Sequence, residues 1–247
     1  MLSKAKIKFI KSLQVKKYRK QEQCFVVQGA KSVRELLASD FEVLTLLGTP
    51  DFLSGIKGND KCEIWEVSEK ELSELGEYQS NDAAFAIARM KPNHEFKVTD
   101  SEYVIVLDDI RDPGNLGTII RTADWYGISK IVASEETADF YNPKVISATM
   151  GSFTRIEILY ADLISYLAGK DHSIYGAFLD GQNVHHTEFG RGGFLLIGNE
   201  SKGISASLEK LVTNKITIPR YGKAESLNAA IATAVICDNI RSRKQKA

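Results

Sequence analysis

Three stretches of the sequence combine glycine, proline, asparagine and charge at the density a reactive pocket needs, and each begins where an apolar run ends. The first is DDIRDPGNLGTIIRTADWYG, residues 108–127. Within it Leu116, Ile119, Ile120 and Ala123 recur at helical spacing and define a buried side. Arg121 lies off that side, one turn after Gly117. Helical side chains lean toward the N-terminus, so Arg121 would run over bare backbone at Gly117, toward the loop and the strand end. A guanidinium is thereby delivered into a crevice. The plain alternative is a solvated helix arginine.

The second stretch, FLLIGNESKGIS, residues 194–205, has glycines at 198 and 203. A phosphate loop needs lysine directly after its second glycine, followed by Ser or Thr. Here Ile204 occupies that place, and Lys202 is on the wrong side. No GxGxxG opens a helix either, which argues against a dinucleotide site. What remains is a turn whose backbone can approach a ligand closely, with Glu200 as a carboxylate or as an ordinary surface cap. The third stretch, ITIPRYGKAESLNAAIATAV, residues 216–235, leaves a strand at Pro219, turns at Gly222 and starts a helix near Ser226. Ser226 suits the helix N-cap, a structural role. Asn228, in the first turn, has no such explanation. Ala229, Ala230, Ala232 and Ala234 allow another element to approach closely.

Other reactive residue types offer little. His185 and His186 are adjacent, so both cannot face one ligand from a strand, and no third ligand stands in register. Cys24, Cys62 and Cys237 are scattered, odd in number and never spaced as CxxC, which reads as core packing rather than a disulfide framework or thiolate metal site. The expectation is no metal. No apolar run approaches the ~18 residues of a membrane span, and the lysine-rich start has no apolar run behind it. A cytoplasmic protein with no membrane association is expected.

The elements that must position these loops follow from periodicity. Between Gln23 and Arg89, short β-rich runs (24–28, 43–47, 62–67, 83–88) alternate with helical patterns, one carrying Val33, Leu36 and Leu37 and one capped by Ser68. A polar stretch at 92–102, containing Pro92, reads as a linker between a first domain at 1–91 and a second at 103–247. Beyond it come strands at 103–109, 130–133, 155–160, 173–179, 193–198 and 215–219, with helices at 115–126, 143–149, 161–168, 205–211 and 226–243. This α/β alternation implies a mostly parallel sheet wrapped by helices, with ligands beyond the carboxyl ends of the strands.

The net charge of zero hides an asymmetry. Residues 1–20 hold Lys4, Lys6, Lys8, Lys11, Lys16, Lys17, Arg19 and Lys20 and no acid, leaving 24 bases against 32 acids elsewhere. On a helical wheel Lys4, Lys8 and Lys11 share one face, opposite Leu2, Phe9 and Leu13. Such a stripe, with Lys17 and Arg19 following, could neutralise nucleic-acid phosphates, or be an ordinary solvated face.

Taken together, RDPGNLGTIIRTAD, LLIGNESKGIS and IPRYGKAESLNAAIATAV resemble, in order and separation, the three motifs of the SpoU (TrmH-like) RNA 2'-O-ribose methyltransferases of the SPOUT class. The pattern KxRKxxxxFVVQGxxxVRELL, residues 17–37, resembles the family's L30e-like substrate-binding domain, with Gln28 where the family commonly has Glu. The resemblance covers nearly the whole chain. It implies a C-terminal deep trefoil knot, a homodimer, S-adenosyl-L-methionine as cofactor and tRNA or rRNA as substrate. Asn115 and Arg121 match its first-motif catalytic pair, Glu200 the second-motif acid, and Ser226 and Asn228 the third-motif polar pair. Gly198, Ile218 and Leu227 match positions whose backbone holds the cofactor, and Thr149 and Gly151, in ATMGSF, resemble a further cofactor-side segment. The family proposal makes Arg121 a general base oriented by Asn115. Because a guanidinium stays charged in proteins, stabilisation of a developing alkoxide or a grip on phosphate is the competing role. A non-catalytic RNA-binding or ribosome-associated module would need only the basic first domain and would have no cofactor affinity.

Overall fold

The computed structural model describes residues 2–56, 62–76 and 83–244. In chain order the elements are α1 (Lys4–Ser12), α2 (Lys16–Glu22), β1 (Cys24–Gln28), α3 (Ala30–Leu37), β2 (Val43–Gly48), α4 (Pro50–Ser54), β3 (Glu63–Glu66), α5 (Glu69–Leu75) and β4 (Ala84–Arg89). There follow β5 (Tyr103–Leu107), α6 (Pro113–Trp125), β6 (Lys130–Ala133), α7 (Pro143–Thr149), β7 (Glu157–Tyr160), α8 (Leu163–Leu167), β8 (Ile174–Asn183), β9 (Gly193–Ile197), α9 (Ala206–Glu209), β10 (Asn214–Thr217) and α10 (Ala229–Lys244). They form two compact units. The first runs to Pro92 and also includes Asp139–Thr154; the second comprises Asn93–Ala138 and Arg155 onward. A single cut at the linker, as read from the sequence, places 139–154 with the second domain instead.

In the first unit the strands lie in the order β1-β4-β2-β3, with β4 antiparallel to both neighbours and β3 parallel to β2. Leu2, Ile10 and Leu13 close over Val26, Leu47, Leu72, Phe85 and Ile87. Lys4, Lys8 and Lys11 are exposed, as the amphipathic pattern requires. Across the sheet Phe25 meets Phe41, Tyr141 and Phe153 at ring-centroid distances of 5.5, 4.7 and 6.0 Å. These edge-on and tilted contacts are worth about 0.5–1.5 kcal/mol each beyond area burial, and they tie Asp139–Thr154 to the first unit.

Arg19 departs from expectation. Placed in the phosphate-facing stripe by its sequence, it is only 1% exposed. The helix breaks after Ser12, and the carbonyls of Leu13 and Gln14 in the turn beyond it need donors. Arg19 folds back on them: one amino group donates to Leu13 O at 2.9 Å and Gln14 O at 2.7 Å, and the other pairs with Asp139. It clamps the α1–α2 corner and presents nothing to solvent. Lys17 stays exposed, while Lys6 is drawn into a pair with Glu63.

The second unit is built on a six-stranded sheet in the order β10-β8-β9-β5-β6-β7, with every neighbouring pair parallel. β5 and β9 at its centre are buried along their whole length, which is why both read as unbroken apolar runs. From β5 the chain winds outward through β6 and β7, crosses to β8 on the other flank, and then lays β9 between β8 and β5. The sheet therefore reverses its order between β5 and β9, the place where open parallel sheets bind ligands at their carboxyl edge. The first two loops leave from that point. α10 packs on α6, and Arg241 secures the contact by donating to the Tyr126 and Gly127 carbonyls at 2.6 and 2.8 Å.

Candidate active site

α6 begins with Asp112, whose carboxylate accepts from Asn115 N at 2.8 Å, and Pro113 follows in the first turn. This cap holds Asn115 at the mouth of the loop. Leu116, Ile119, Ile120 and Ala123 are buried as the spacing requires. Arg121 is exposed and, among the described residues, has no hydrogen bond or ion pair. Gly114 and Gly117 precede it at helical spacings of seven and four, so neither of those positions puts a side chain beside it.

The third loop differs from expectation at one point. α10 starts at Ala229, and its cap is Asn228, not Ser226: Asn228 Oδ1 accepts from Ala230 N at 2.9 Å and Ile231 N at 3.3 Å. Its Nδ2 donates to Asn115 Oδ1 at 2.8 Å, and Asn115 Nδ2 donates to Glu200 Oε1 at 2.6 Å. Residues from all three loops thus meet in one chain of hydrogen bonds. Its polarity has a single solution. The amides of α10 require an acceptor, so Asn228 must turn its oxygen to them and its NH2 outward. That forces Asn115 to offer its oxygen to Asn228 and its NH2 to Glu200. Every donor points from the positive helix end toward the carboxylate, and such chains strengthen cooperatively.

Glu200 rides on a turn closed by paired backbone bonds between Asn199 and Gly203 at 3.1 and 2.9 Å. Gly198 is required because a Cβ there would fall 2.2 Å from Gly203 C and 2.3 Å from Ile204 N. Ser226 is exposed with no bonded partner among the described residues. Ile218 is half-buried and Leu227 exposed. Thr149 and Gly151 belong to the first unit. The Thr149 hydroxyl is buried and donates to Ile146 O at 2.6 Å, and Gly151, at φ +99°, has no room for a Cβ beside Glu35. Cys237 on α10 is buried, which pushes its thiol up to about 12 and leaves it inert. Among the described residues no cluster of three or more His, Cys, Asp and Glu could hold a metal, and no helix is long and apolar enough to cross a membrane.

Sequence reasoning missed Asp109 and Asn199. Asp109 adopts φ +60°, and its carboxylate accepts from Arg111 Nε at 2.6 Å, raising the guanidinium above its ordinary range. Asn199 Nδ2 donates to Asp109 O at 2.8 Å. The Asp-Asp doublet at a strand end was the available signal, since Asp tolerates the left-handed region better than most residues.

Comparison with known proteins covers the chain nearly end to end. Residues 102–238 match the family model described as SpoU rRNA Methylase, and residues 4–86 match that of the MRM3-like substrate binding domain. The Bacillus subtilis 23S rRNA (guanosine(2553)-2'-O)-methyltransferase RlmP is 31% identical over 96% of both chains. A TrmH-family chain from Porphyromonas gingivalis superposes with a TM-score of 0.90 at 34% identity, covering 98% of this chain and 99% of its own. An rRNA methyltransferase from Sinorhizobium meliloti, solved with S-adenosylmethionine bound, gives a TM-score of 0.86 at 30% identity over 98% and 96%.

Proposed function

Since the chain belongs to the SpoU rRNA methylase family, we propose that it moves a methyl group from S-adenosylmethionine to a ribose 2'-hydroxyl of ribosomal RNA. The observation that carries this reading is the hydrogen-bonded junction of Asn228, Asn115 and Glu200 at the switch point of a parallel sheet, with unpartnered Arg121 on the same helix as Asn115. Ribosomal rather than transfer RNA is favoured by the name of RlmP, which aligns over both units.

The third loop suits the cofactor chemically. Among the described residues from 218 to 227, Ala224 O is the one main-chain group with an intramolecular partner, Arg220. Free N–H and C=O groups between the apolar side chains of Ile218 and Leu227 match what an adenine edge and an amino-acid tail require. Gly198 would add close backbone approach from the neighbouring loop. Bound there, the sulfonium supplies an already activated methyl group. The protein's work is then alignment, worth about 7–11 kcal/mol in a bimolecular reaction, and handling of charge on the attacking oxygen. The Arg121 guanidinium supplies positive charge where the 2'-oxygen loses its proton. Asn115, locked by Asn228 and Glu200, fixes the polar wall beside it, and Ser226 adds a free hydroxyl at the rim.

The stretch 1–91, the larger part of the first unit, is read as an L30e-like RNA-binding domain. Its match to a substrate-binding family and the exposed Lys4, Lys8, Lys11 and Lys17 support this. The second, from 103, is the catalytic SPOUT domain. A trefoil-knotted C-terminus is supported by the return of the chain after β10 to α6, where Asn228 pins the start of α10 to Asn115. Homodimer formation is supported by exposed apolar side chains on α6, α10 and the loop before it: Trp125 at 83%, Ile231 at 53% and Leu227 at 48%. A cytoplasmic location belongs to the same proposal.

Calorimetry with S-adenosylhomocysteine, joined to mapping of ribose methylation on ribosomal RNA with and without the gene, tests the reading. Saturable binding and one lost methylation are expected, and no heat with an unchanged map overturns it. Arg121→Lys then separates the two roles of Arg121. An unchanged pH–rate profile fits electrostatic stabilisation, whereas a new titrating limb makes the residue a base.

A further inference from the structure

Glu200 is exposed and sits on a short turn, yet it must meet Asn115 from another loop within hydrogen-bond tolerance. Its own side chain cannot set that position, so the turn itself must be held. Two tethers run from the turn to one dipeptide at the end of β5. Ser205 N, at the far end of the turn, donates to the nine-tenths buried Asp108 carboxylate at 2.7 Å. Asn199 Nδ2, at the near end, donates to the main-chain oxygen of Asp109 at 2.8 Å.

Asn199 uses every polar group it has. Its Oδ1 accepts from Ser201 N at 2.9 Å and Lys202 N at 3.1 Å, its N and O form the bridge to Gly203, and its Nδ2 makes the tether. The carbonyl it reaches is itself placed by the left-handed Asp109, whose N–H donates to Ser134 Oγ at 3.1 Å. The two halves of the side-chain amide therefore do different jobs: the oxygen caps the turn, and the nitrogen ties the turn to β5. The residue after Asp109's partner Arg111 is Asp112, the cap that holds Asn115. A short covalent path from Asp109 to Asn115 and a one-residue path from Asn199 to Glu200 thus share one hydrogen bond as their common anchor.

We infer that Asn199 is a positioning residue, whose amide nitrogen registers the Glu200 turn against the end of β5 so that Glu200 meets Asn115. The inference rests on the methyltransferase reading. Asn199→Asp separates the two jobs, because a carboxylate still caps Ser201 and Lys202 but cannot donate to Asp109 O and is set against the Asp109 carboxylate that Nδ2 also reaches at 3.5 Å. A displacement near 1 Å at a catalytic group costs about 100-fold in rate, so kcat for RNA methylation should fall by about that factor. S-adenosylhomocysteine affinity should stay within about threefold, because packing against Gly203 and Ile204, not the amide, fixes Gly198.

The deciding measurement is a double-mutant cycle with Glu200→Ala, by single-turnover transfer of tritiated methyl over long incubations. If Asn199 acts through Glu200, Asn199→Asp changes the residual rate of Glu200→Ala by less than about threefold. An equal fractional loss in both backgrounds, or no loss in the wild-type background, overturns the inference. Should Asn199→Asp show no cooperative melt, Asn199→Ser carries the same cycle, since its hydroxyl can cap the turn but is too short to reach Asp109. Full activity in Glu200→Ala would instead count against the site reading itself, and the two failures are thereby distinguished.

Discussion

Asn228→Asp is the substitution in which the structure separates stability from turnover most sharply. Asp and Asn cap helices about equally well, and a carboxylate at this position still accepts from Ala230 N and Ile231 N. Negative charge at the N-terminus of a 16-residue helix adds about 0.3–1 kcal/mol in its favour. The cap is therefore kept, and the melting temperature should fall by less than in Asn228→Ala. The donor to Asn115 Oδ1 is lost, however, and Asn115 is left between two carboxylates with one NH2 to share. It can turn its NH2 to the introduced carboxylate only by facing its oxygen to Glu200. A hydrogen bond to a charged group is worth about 1.5–3 kcal/mol, which at 1.36 kcal/mol per decade is roughly 10- to 150-fold in rate. Asn228→Ala is the control: it loses the cap as well, at about 0.5–2 kcal/mol. Calorimetric melts and single-turnover methyl transfer on the three proteins check this. Wild-type turnover in Asn228→Asp, or a melting loss equal to that of Asn228→Ala, would refute the account of the junction.

Gly198→Ala forces its Cβ onto main-chain atoms of Gly203 and Ile204, so the Glu200 turn must move; a destabilisation of about 1–3 kcal/mol should accompany a loss of turnover. Gly203→Ala meets no atom within 4 Å and carries only the strain of φ +70°, so its melting temperature should fall by the smaller amount while kcat stays nearer wild type. Replacing Lys4, Lys8 and Lys11 by Ala should leave the melt unchanged and make the salt dependence of RNA binding shallower, by about 0.7 in log–log slope for each phosphate no longer neutralised. Arg19→Ala should do the reverse, lowering the melting temperature by stranding Asp139 and two carbonyls. Hydrogen bonds from Lys130 and Thr99 hold the Glu102 carboxyl down to about 2 from an ordinary 4.5. A carboxyl depressed on folding stabilises the fold fully above the unfolded value and loses that contribution as pH falls through the folded one. The melting difference between wild type and Glu102→Gln should accordingly be largest above about pH 5 and close toward about pH 2, and a difference independent of pH would contradict it.

The central strands and the three loops were legible because their signals are local. Unbroken apolar runs marked β5 and β9, and Gly, Pro and Asn marked the turns. What stayed hidden depends on partners distant in sequence. Ser226 and Asn228 are equally good caps by type. The choice falls to Asn228 because its second amide group reaches Asn115, 113 residues earlier, which no local preference encodes. Arg19 counts as one more cation in a basic run. Its inward turn follows from a helix break at Leu13–Val15 that carries neither glycine nor proline. β8 runs four residues past the expected end because its extension pairs with β10 after a shift in register at Lys215 and Ile216. Element boundaries of this kind are decided by the neighbouring strand.

The aromatic cluster around Phe25 has a bearing on how this gene can be cut. Two of the rings that cover Phe25, Tyr141 and Phe153, are encoded well downstream of Pro92, inside the stretch between β6 and β7. A fragment ending at the apparent linker would carry the basic helices but leave Phe25 and Phe41 bare on one side of its sheet. Any chimera that grafts this first unit onto another scaffold must therefore bring a second, non-contiguous piece with it. For the same reason, recombination between relatives should preserve the two pieces as a pair.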